Sequence, residues 1–581
     1  MPSTPPRVVT AALDGWVTVV AGFLVWPLLV RTGYPFARDL VFTPKLPLRP
    51  ETLGLGTSSP RAAPLDAIVA VASTIVDGGV LAKVLVPGAL LLAGWGAHRL
   101  ASPLAWPARM AVAGFAVWNP FVVERLGLGQ WALLYAYAAL FWMVPLLSPE
   151  GGRGRQPRRG PVAASAPWLA IAAITPTGAV LAGSFALAVG LRRGRGQIGR
   201  NGRLILLVTL VQLPWLVPAA LGGAAALSDP AGVSAFAARS ERPGPAFFSL
   251  AGLGGIWDRL SAPGTRSGVL GFATSIVVVV AVGLVALRPR RLGLPARLLP
   301  VGIASLLLAG LTSLPGGAAA MGDLTSVIPG LGLLRDAQKW LAAFVVLAVL
   351  CVGLVLDHIL PLLRRAAPAV GIGAAAVGVG LPWLLLPDGM AVVHRVVQPQ
   401  SYPPAFEQAA RVIAADPGPV ITLPWSLYRV FPWAGPYATY DPASRWFDAP
   451  VVTDDTLRVG SITIGGEDPV ASRVGTVVQS PSRGTGAQLS ALGVRYIVVY
   501  TGVQGAVGMA DEIGSGPGVQ TLVAADGLSL LQLPGGTESA GASTYAAPVV
   551  AAVDLAVLLA IIVASTGLAS GRRRDRSVTL W

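Results

Sequence analysis

The sequence predicts an α-helical polytopic membrane protein with about 10–12 spans and an extracytoplasmic α/β or α+β domain near the C-terminus. Of its 581 residues, 54% are apolar and only 12% are charged, so most of the chain must be solvated by lipid rather than water. Apolar runs of roughly 20 residues recur along it, which is the length that a hydrocarbon core about 30 Å thick requires. One polar segment, 388–547, is long enough to form a separate domain.

The net charge of +15 comes largely from arginine clusters that lie between the apolar runs. Basic loops of this kind anchor the cytoplasmic ends of spans, so the sequence predicts no nucleic-acid partner. Their alternation predicts a multi-pass protein of the cell membrane, with both termini cytoplasmic and the polar segment extracytoplasmic. The clusters occupy 149–160, 191–203, 288–297, 364–365 and 572–576.

The chain divides into three predicted parts. These are a transmembrane bundle over 1–387, the extracytoplasmic domain over 388–547, and a final transmembrane helix with a basic tail over 548–581. The mixed order of elements within the extracytoplasmic domain favours an α/β or α+β fold. Its predicted elements are a helix over Phe406–Ala415 and strands over Val420–Leu423, Val494–Tyr500 and Leu528–Leu533.

The transmembrane bundle contains one segment that departs from simple crossings. Residues 11–31 form the first predicted span, a retained helix, and 64–77 form a helix that lies along the membrane surface. Between two cytoplasmic loops, 161–190 is too short for two comfortable crossings. It is predicted to form two short helices broken at Thr175–Gly178 or a re-entrant hairpin. Because broken helices at membrane depth must be buried in protein or line a cavity, we expect a cavity here.

The first outer loop, Tyr34–Arg61, carries a carboxylate among cations at the membrane edge. Asp39 could act as a general base toward an acceptor hydroxyl, with Arg38 and Lys45 close in sequence to hold an anion. The alternative interpretation is a loop acid paired with Arg38 or Lys45.

Two later outer loops carry further charged candidates. In NPFVVERLGLGQW, Glu124 is a second candidate acid and Arg125 a candidate phosphate ligand, or the two form an internal ion pair. In LLRDAQKW, Arg335 and Lys339 could hold a phosphate, since a guanidinium group can bind it through two bonds. The alternative is that both are cationic anchors at the start of a span.

The sequence offers weak evidence for a metal. His98, His358 and His394 share no ligand spacing, so a histidine-based centre is not expected. The acid pairs Asp454–Asp455 and Glu467–Asp468 could bind a divalent cation, or they could be solvated loop acids. There is no phosphate-binding P-loop and no nucleophile elbow, which argues against nucleotide-driven transport and serine hydrolysis.

These motifs resemble the GT-C superfamily of membrane glycosyltransferases, which use sugars linked to polyprenyl phosphate and carry a catalytic acid in the first outer loop. YPFARDLVF supplies Asp39, and the two later loops are similar to outer-loop signatures of actinobacterial arabinofuranosyl- and mannosyltransferases. Many members have a second acid near the first, where this chain has Arg38. That difference leaves the identity of the base and any need for a metal open.

The resemblance implies inverting transfer of a sugar from a polyprenyl-phosphate donor to a cell-envelope glycan, glycolipid or protein acceptor at the outer face. Asp39 would be the base, with Glu124 as the second candidate. The donor phosphate would be bound by Arg38, Lys45, Arg125, Arg335 and Lys339. Two other classes stay open, a flippase or transporter of a lipid-linked glycan and a non-catalytic envelope scaffold. Transporters often contain paired repeats, and no repeat is evident between the halves of this sequence.

Overall fold

The computed structural model describes residues 6–57, 59–148, 160–222, 227–506, 508–535 and 546–566. The basic segment 149–159 and the predicted basic tail after 566 lie outside the described residues. Up to residue 397 the described chain is a bundle of helices. They are α1 (Pro6–Leu24), α2 (Trp26–Val30), α3 (Leu65–Ser73), α4 (Gly78–Leu100), α5 (Trp106–Val117), α6 (Pro120–Gly127), α7 (Leu133–Leu147), α8 (Pro161–Ala172), α9 (Pro176–Gly190), α10 (Ile198–Leu210), α11 (Leu213–Leu221), α12 (Ala231–Ala235), α13 (Ala246–Ala251), α14 (Val269–Leu287), α15 (Leu298–Gly310), α16 (Gly317–Val327), α17 (Ala342–Ala366), α18 (Pro368–Leu385) and α19 (Gly389–Val397).

By length and composition, five described helices suit a membrane span, or up to seven if each bent helix pair counts as one. The five are α4, α14, α17 with the 3₁₀ turn before it, α18 and the C-terminal helix α25 (Ala546–Thr566). The α10–α11 pair bends by 48° and the α15–α16 pair by 94°. The apolar parts of α1, α7, α8 and α9 are shorter than a full span. The predicted class, a helical membrane protein, is confirmed, and the count of about 10–12 crossings stays a prediction.

The rest of the chain combines short helices with strands. The helices are α20 (Ala405–Ala415), α21 (Ala443–Trp446), α22 (Pro469–Val478), α23 (Thr485–Ala491) and α24 (Met509–Gly514). The strands, including two from the first loop, are β1 (Tyr34–Ala37), β2 (Leu40–Val41), β3 (Pro399–Gln400), β4 (Val420–Leu423), β5 (Tyr428–Val430), β6 (Ala438–Tyr440), β7 (Val451–Val452), β8 (Leu457–Val459), β9 (Ile462–Ile464), β10 (Tyr496–Val499), β11 (Gln520–Ala525) and β12 (Leu528–Gln532).

A five-stranded sheet in the order β11-β12-β10-β4-β7 organises this part. Strand β4 runs parallel to β10 and β7, whereas β12 runs antiparallel to both of its neighbours. Successive side chains of a strand point to opposite faces, and in β10 both faces are buried. Tyr496 and Val498 pack against α20 on one face, and Ile497 and Val499 pack with α22 and α23 on the other. The predicted strands and the predicted helix are therefore confirmed, with ends shifted by at most two residues.

The first loop is joined to this late part of the chain. Strand β1 pairs antiparallel with both β2 and β3, so residues 34–41 and 399–400 form one small sheet. Phe36 stacks on Trp433 with ring centroids 4.7 Å apart. Arg38, at the tip of the β1–β2 hairpin, has a φ of 59° and accepts the Tyr440 N–H at 2.9 Å. The hairpin is thus held against β6, and Asp39 next to its tip is fixed by the same contacts.

Helices α8 and α9 form the predicted broken segment. Thr175 caps α9 by accepting the Gly178 N–H, and the chain reverses between the two helices. The start of α9 contacts α7 at Ala136, whereas its end at Gly190 lies beside Leu147. At about 1.5 Å per residue, helices of 12 and 15 residues are short of a full crossing.

We predict that Gly94, at the crossing of α1, α4 and α5, tolerates no side chain. A Cβ built there lies 2.5 Å from Val17 Cγ1 and 2.9 Å from Val117 Cγ2. Gly94→Val should lower the free energy of unfolding by about 1–3 kcal/mol through overpacking. Gly283→Val is the matched control, because nothing lies within 4 Å of a Cβ at Gly283 in α14. Thermal unfolding of both variants in detergent measures the difference, and equal melting temperatures would contradict this packing.

Candidate active site

A cavity of about 180 Å³ lies where the first loop, α3, the start of α7, the α8–α9 turn, the start of α17 and α21 meet. Its apolar wall includes residues of α3 and α7, and Thr175 and Thr177 from the helix break line it as well. The cavity predicted beside the broken helices is therefore present. Its charged and amide lining is formed by Asp39, Arg61, Asp66, Gln130, Lys339 and Arg445.

Asp39 is held at the cavity wall by two hydrogen bonds. The Tyr428 hydroxyl donates to Oδ1 at 2.6 Å, and the Gln130 amide donates to Oδ2 at 3.1 Å. Its backbone N–H donates to the Leu128 carbonyl at 3.1 Å. A carboxylate offers about four lone-pair directions, so two donors leave acceptor capacity on a half-buried group that faces the cavity.

A continuous chain of polar contacts connects Asp39 to Lys339 on another wall of the cavity. The Gln130 that donates to Asp39 accepts from Arg125 Nη1 at 2.7 Å. Arg125 forms two bonds to Asp336, at 2.7 and 2.9 Å, and both side chains are buried. Asp336 also pairs with Lys339 Nζ at 3.5 Å. Burial would raise the pKa of Asp336, but Arg125 and Lys339 outweigh burial and hold that pKa below its ordinary value.

Two cations that the sequence analysis did not single out also reach the cavity. Arg445 of α21 pairs with Asp66 of α3 at 3.2 Å and donates to the Val41 carbonyl at 2.7 Å. Burial raises the pKa of Asp66, and Arg445 opposes that shift. Arg61 pairs with Glu467 at 3.1 Å while 44% of its side chain stays exposed. The cavity therefore brings Lys339, Arg61 and Arg445 around Asp39.

Four of the five predicted phosphate ligands lie outside the cavity lining: Arg125, which binds Asp336, and Arg38, Lys45 and Arg335. Arg38 pairs with Asp258 at 3.5 Å and lies over the Tyr437 ring, so its partner is not Asp39. Lys45 is exposed. Arg335 lies over the Phe236 ring and 3.8 Å from Glu467, and burial with repulsion from Arg61 lowers its pKa to about 10. Arg335 thus stays charged at neutral pH beside the cavity residue Arg61.

Glu124 belongs to a second, fully buried cluster. Gln338 donates to its Oε2 at 2.6 Å, and its carboxyl shares a hydrogen bond with Glu241. Burial, the charge of Glu241 and that hydrogen bond raise the pKa of Glu124 well above its ordinary value. Burial would raise the pKa of Glu241, but Arg266, Glu124 and the Gly255 N–H together lower it, and Arg266 donates bonds of 2.7 and 3.0 Å to one oxygen. The pKa of Glu124 is thus raised and that of Glu241 lowered. The alternative of an ion pair between Glu124 and Arg125 is wrong, because Arg125 binds Asp336.

The acid pairs of the late segment are engaged in loop contacts. Asp455 accepts the backbone N–H groups of Glu467 and Asp468, and Asp468 caps α22. Glu467 binds the hydroxyls of Ser59 and Ser228 as well as Arg61. Across the described ranges, no group of three or more histidine, cysteine or acidic residues could hold a metal ion.

The chain was compared with known proteins. No family model matches it, and no curated protein sequence matches it. Cryo-EM structures of the arabinofuranosyltransferase AftD from mycobacteria do match, with a TM-score of 0.56 and 17% identity over 90% of this chain. The chain shares its fold with AftD. A mutant form of AftD gives a TM-score of 0.56 at 16% identity over 93% of this chain.

The likeness to AftD confirms the predicted fold, a helical membrane bundle with a sheet-containing segment near the C-terminus. This chain spans 40% of the length of AftD, so the likeness concerns one part of a longer protein. At this identity it establishes the fold, and the roles of Asp39, Glu124 and the basic residues stay predictions.

Several residues of the cavity carried no usable signal in the sequence. Tyr428 and Arg445 lie 389 and 404 residues from their first-loop partners, Asp39 and Val41. Gln130 is the exception, because it is the last polar residue of the NPFVVERLGLGQW motif and an amide between apolar helices invites a polar partner. Asp336 could also have been identified as the counter-ion of an outer-loop arginine.

We predict that the shared proton of Glu124 makes stability fall with rising pH. Because the folded pKa is raised, the folded state binds more protons than the unfolded state between the two pKa values, and stability declines there by about 1.4 kcal/mol per pH unit. Glu124→Gln keeps a neutral donor and should abolish that slope above pH 5. The exposed Glu512 gives the control variant Glu512→Gln, which should retain it. Melting temperatures from pH 5 to 9 in detergent test this, and parallel curves for all three proteins would refute the shared proton.

Proposed function

We propose that the protein is an inverting membrane glycosyltransferase that moves a sugar from a polyprenyl-phosphate donor to an envelope glycan, glycolipid or protein acceptor. The observation that supports this most directly is the arrangement of Asp39 opposite Lys339 in one cavity beside the broken helices. The activity that gives AftD its name makes an arabinofuranosyl group the first donor to assay.

In the proposed reaction, Asp39 is the general base. It removes the proton from an acceptor hydroxyl, whose oxygen bonds to the anomeric carbon as the bond to the lipid phosphate breaks. The bonding electrons leave with the phosphate oxygen, so the configuration at the anomeric carbon inverts. The hydrogen bonds from Tyr428 and Gln130 fix the carboxylate during this step, and a base must lie within about 3 Å of the proton it takes.

The leaving phosphate gains negative charge, and the cavity cations offset it. Lys339 is the main candidate for binding the leaving phosphate. Its carboxylate partner, Asp336, already forms two hydrogen bonds with Arg125. Arg61 keeps an exposed guanidinium, and Arg445 is anchored through Asp66. Preorganised cations of this kind stabilise a transition state that develops charge on a phosphate.

The first prediction of this function concerns the base. Asp39→Asn removes the charge and keeps the shape, so transfer in lipid nanodiscs should fall by about a hundredfold or more, the usual effect of losing a positioned base. Asp416→Asn, at a carboxylate of which 53% is exposed near the sheet, is the control and should retain full activity. Full activity of Asp39→Asn would remove the base assignment. If Glu124→Gln abolished transfer instead, the base would be in the second outer loop.

The second prediction distinguishes Lys339 from Lys45, two lysines that the sequence analysis predicted to bind the donor phosphate. Lys339→Gln should weaken donor use by about 1.5–3 kcal/mol, the contribution of a hydrogen bond to a charged group. Lys45→Gln should change nothing, because Lys45 is exposed outside the cavity lining. The measurement is the dependence of transfer on donor concentration for both variants. Donor trapped untransferred on the inner leaflet in every active preparation would instead favour a flippase.

A further inference from the structure

Three arginines meet at the end of α9 that lies opposite the cavity. Arg200 Nη1 donates to the Gly190 carbonyl at 2.5 Å, and Arg297 Nη1 donates to the Leu191 carbonyl. Arg192 follows α9 directly, and its Nη2 donates to the Ser148 carbonyl at 3.5 Å. We call Arg192, Arg200 and Arg297 the arginine cluster. It lies on the side predicted to be cytoplasmic.

The arginine cluster lacks negative charge. Across the part of the chain that the structure describes, none of its members forms an ion pair with a carboxylate. Arg200 and Arg297 cap the end of α9 and Arg192 contacts the end of α7 at Ser148, and a helix C-terminus supplies only roughly half a negative charge. The fully buried Arg125 and Arg266, by contrast, each have a carboxylate partner.

Several donors of the arginine cluster are also unused. Arg192 Nε, Arg200 Nε and Arg200 Nη2 are buried and have no hydrogen-bond acceptor among the described residues. Capping of α9 explains the bonds to its carbonyls, but it leaves these three N–H groups unexplained. A buried donor without an acceptor costs about 1–3 kcal/mol, and more when it is charged. The site therefore calls for an anion with several acceptor oxygens.

We propose that the arginine cluster binds the phosphate of an anionic phospholipid headgroup. It lies where α9 ends and where α10 and α15 begin, which are the ends of apolar helices. On the neighbouring α10, Ile198 is 70% exposed and Ile205 is 48% exposed, and such side chains suit acyl chains. Arginine forks match phosphate oxygens through paired bonds, and basic pockets between helices on the cytoplasmic side bind lipid headgroups. A free phosphate would leave the apolar surface unused.

The chain's own acid is the competing occupant. Glu150 is the single carboxylate in the sequence from Ser148 to Gly160, two residues after the carbonyl that Arg192 binds. Its variant Glu150→Gln therefore belongs in the experiment. This proposal is independent of the glycosyltransferase proposal, since lipid retention is measured without any donor or acceptor sugar.

The experiment is native mass spectrometry of the purified full-length protein in detergent, titrated with dioleoylphosphatidylglycerol or with dioleoylphosphatidylcholine. We expect saturable retention of phosphatidylglycerol alone. Arg200→Gln and Arg297→Gln should each weaken it by about tenfold, the equivalent of losing one hydrogen bond to a charged group. Arg200→Lys keeps the charge and should recover part of it. The control is Arg203→Gln, at an exposed arginine of the same helix, which should retain wild-type binding.

Each result decides the proposal. Loss in the cluster variants with retention in Arg203→Gln and Glu150→Gln supports it. Equal phosphatidylglycerol binding in the wild type and both cluster variants overturns it. If millimolar inorganic phosphate competes with phosphatidylglycerol and the acyl chains contribute nothing to binding, the ligand is free phosphate and the lipid proposal is overturned. If the wild type binds no lipid and Arg200→Gln and Glu150→Gln destabilise the protein equally, the proposal is overturned. The arginine cluster would then pair with Glu150.

Discussion

The buried ion pair between Arg125 and Asp336 is the contact on which the arrangement of the cavity depends. It joins helix α6 to the start of the span containing α17, with two bonds between buried groups. Gln130 is oriented toward Asp39 by the same guanidinium, and Lys339 is held by the same carboxylate. Breaking a buried pair by removing one partner typically costs about 3–5 kcal/mol, because the other charge is left uncompensated. Removing either Arg125 or Asp336 would therefore disturb both the Asp39 wall and the Lys339 wall of the cavity.

The late, sheet-containing segment completes this cavity. Tyr428 of β5 fixes one oxygen of Asp39, and Arg445 of α21 lines the cavity beside α3, where it pairs with Asp66. The segment reaches the first loop through the β1–β3 pairing and the stacking of Phe36 on Trp433. It follows that the bundle and the late segment cannot be assigned separate roles, since the carboxylate belongs to one and its hydroxyl partner to the other.

The sequence predicted the elements better than the site. Span positions follow from local apolar runs, and a strand such as Val420–Leu423 follows from its own apolar composition, so both could be located without tertiary information. Asp39 was identified because the GT-C superfamily carries its acid in the first outer loop, and Lys339 because the positive-inside rule does not expect cations on an outer loop. Their partners were not, because the contact of Tyr428 with Asp39 joins positions 389 residues apart. Arg38 and Lys45 were adjacent in sequence to the acid, yet the hairpin turn directs Arg38 to Asp258. Closeness in sequence therefore does not determine which partner a side chain at a turn contacts.

The short helices explain why charged groups collect at this depth. A helix of 15 residues such as α7 rises about 22 Å, whereas the hydrocarbon core is about 30 Å thick. Because α7 and α9 begin at the cavity and α8 ends at the turn that lines it, polar side chains there occupy space that the bilayer would otherwise fill. A lipid-linked anion could then keep its chain in the bilayer while its phosphate meets Lys339, Arg61 and Arg445 rather than hydrocarbon. The same lengths place the other end of α9 beside the arginine cluster, so one short helix connects the two basic sites of the molecule.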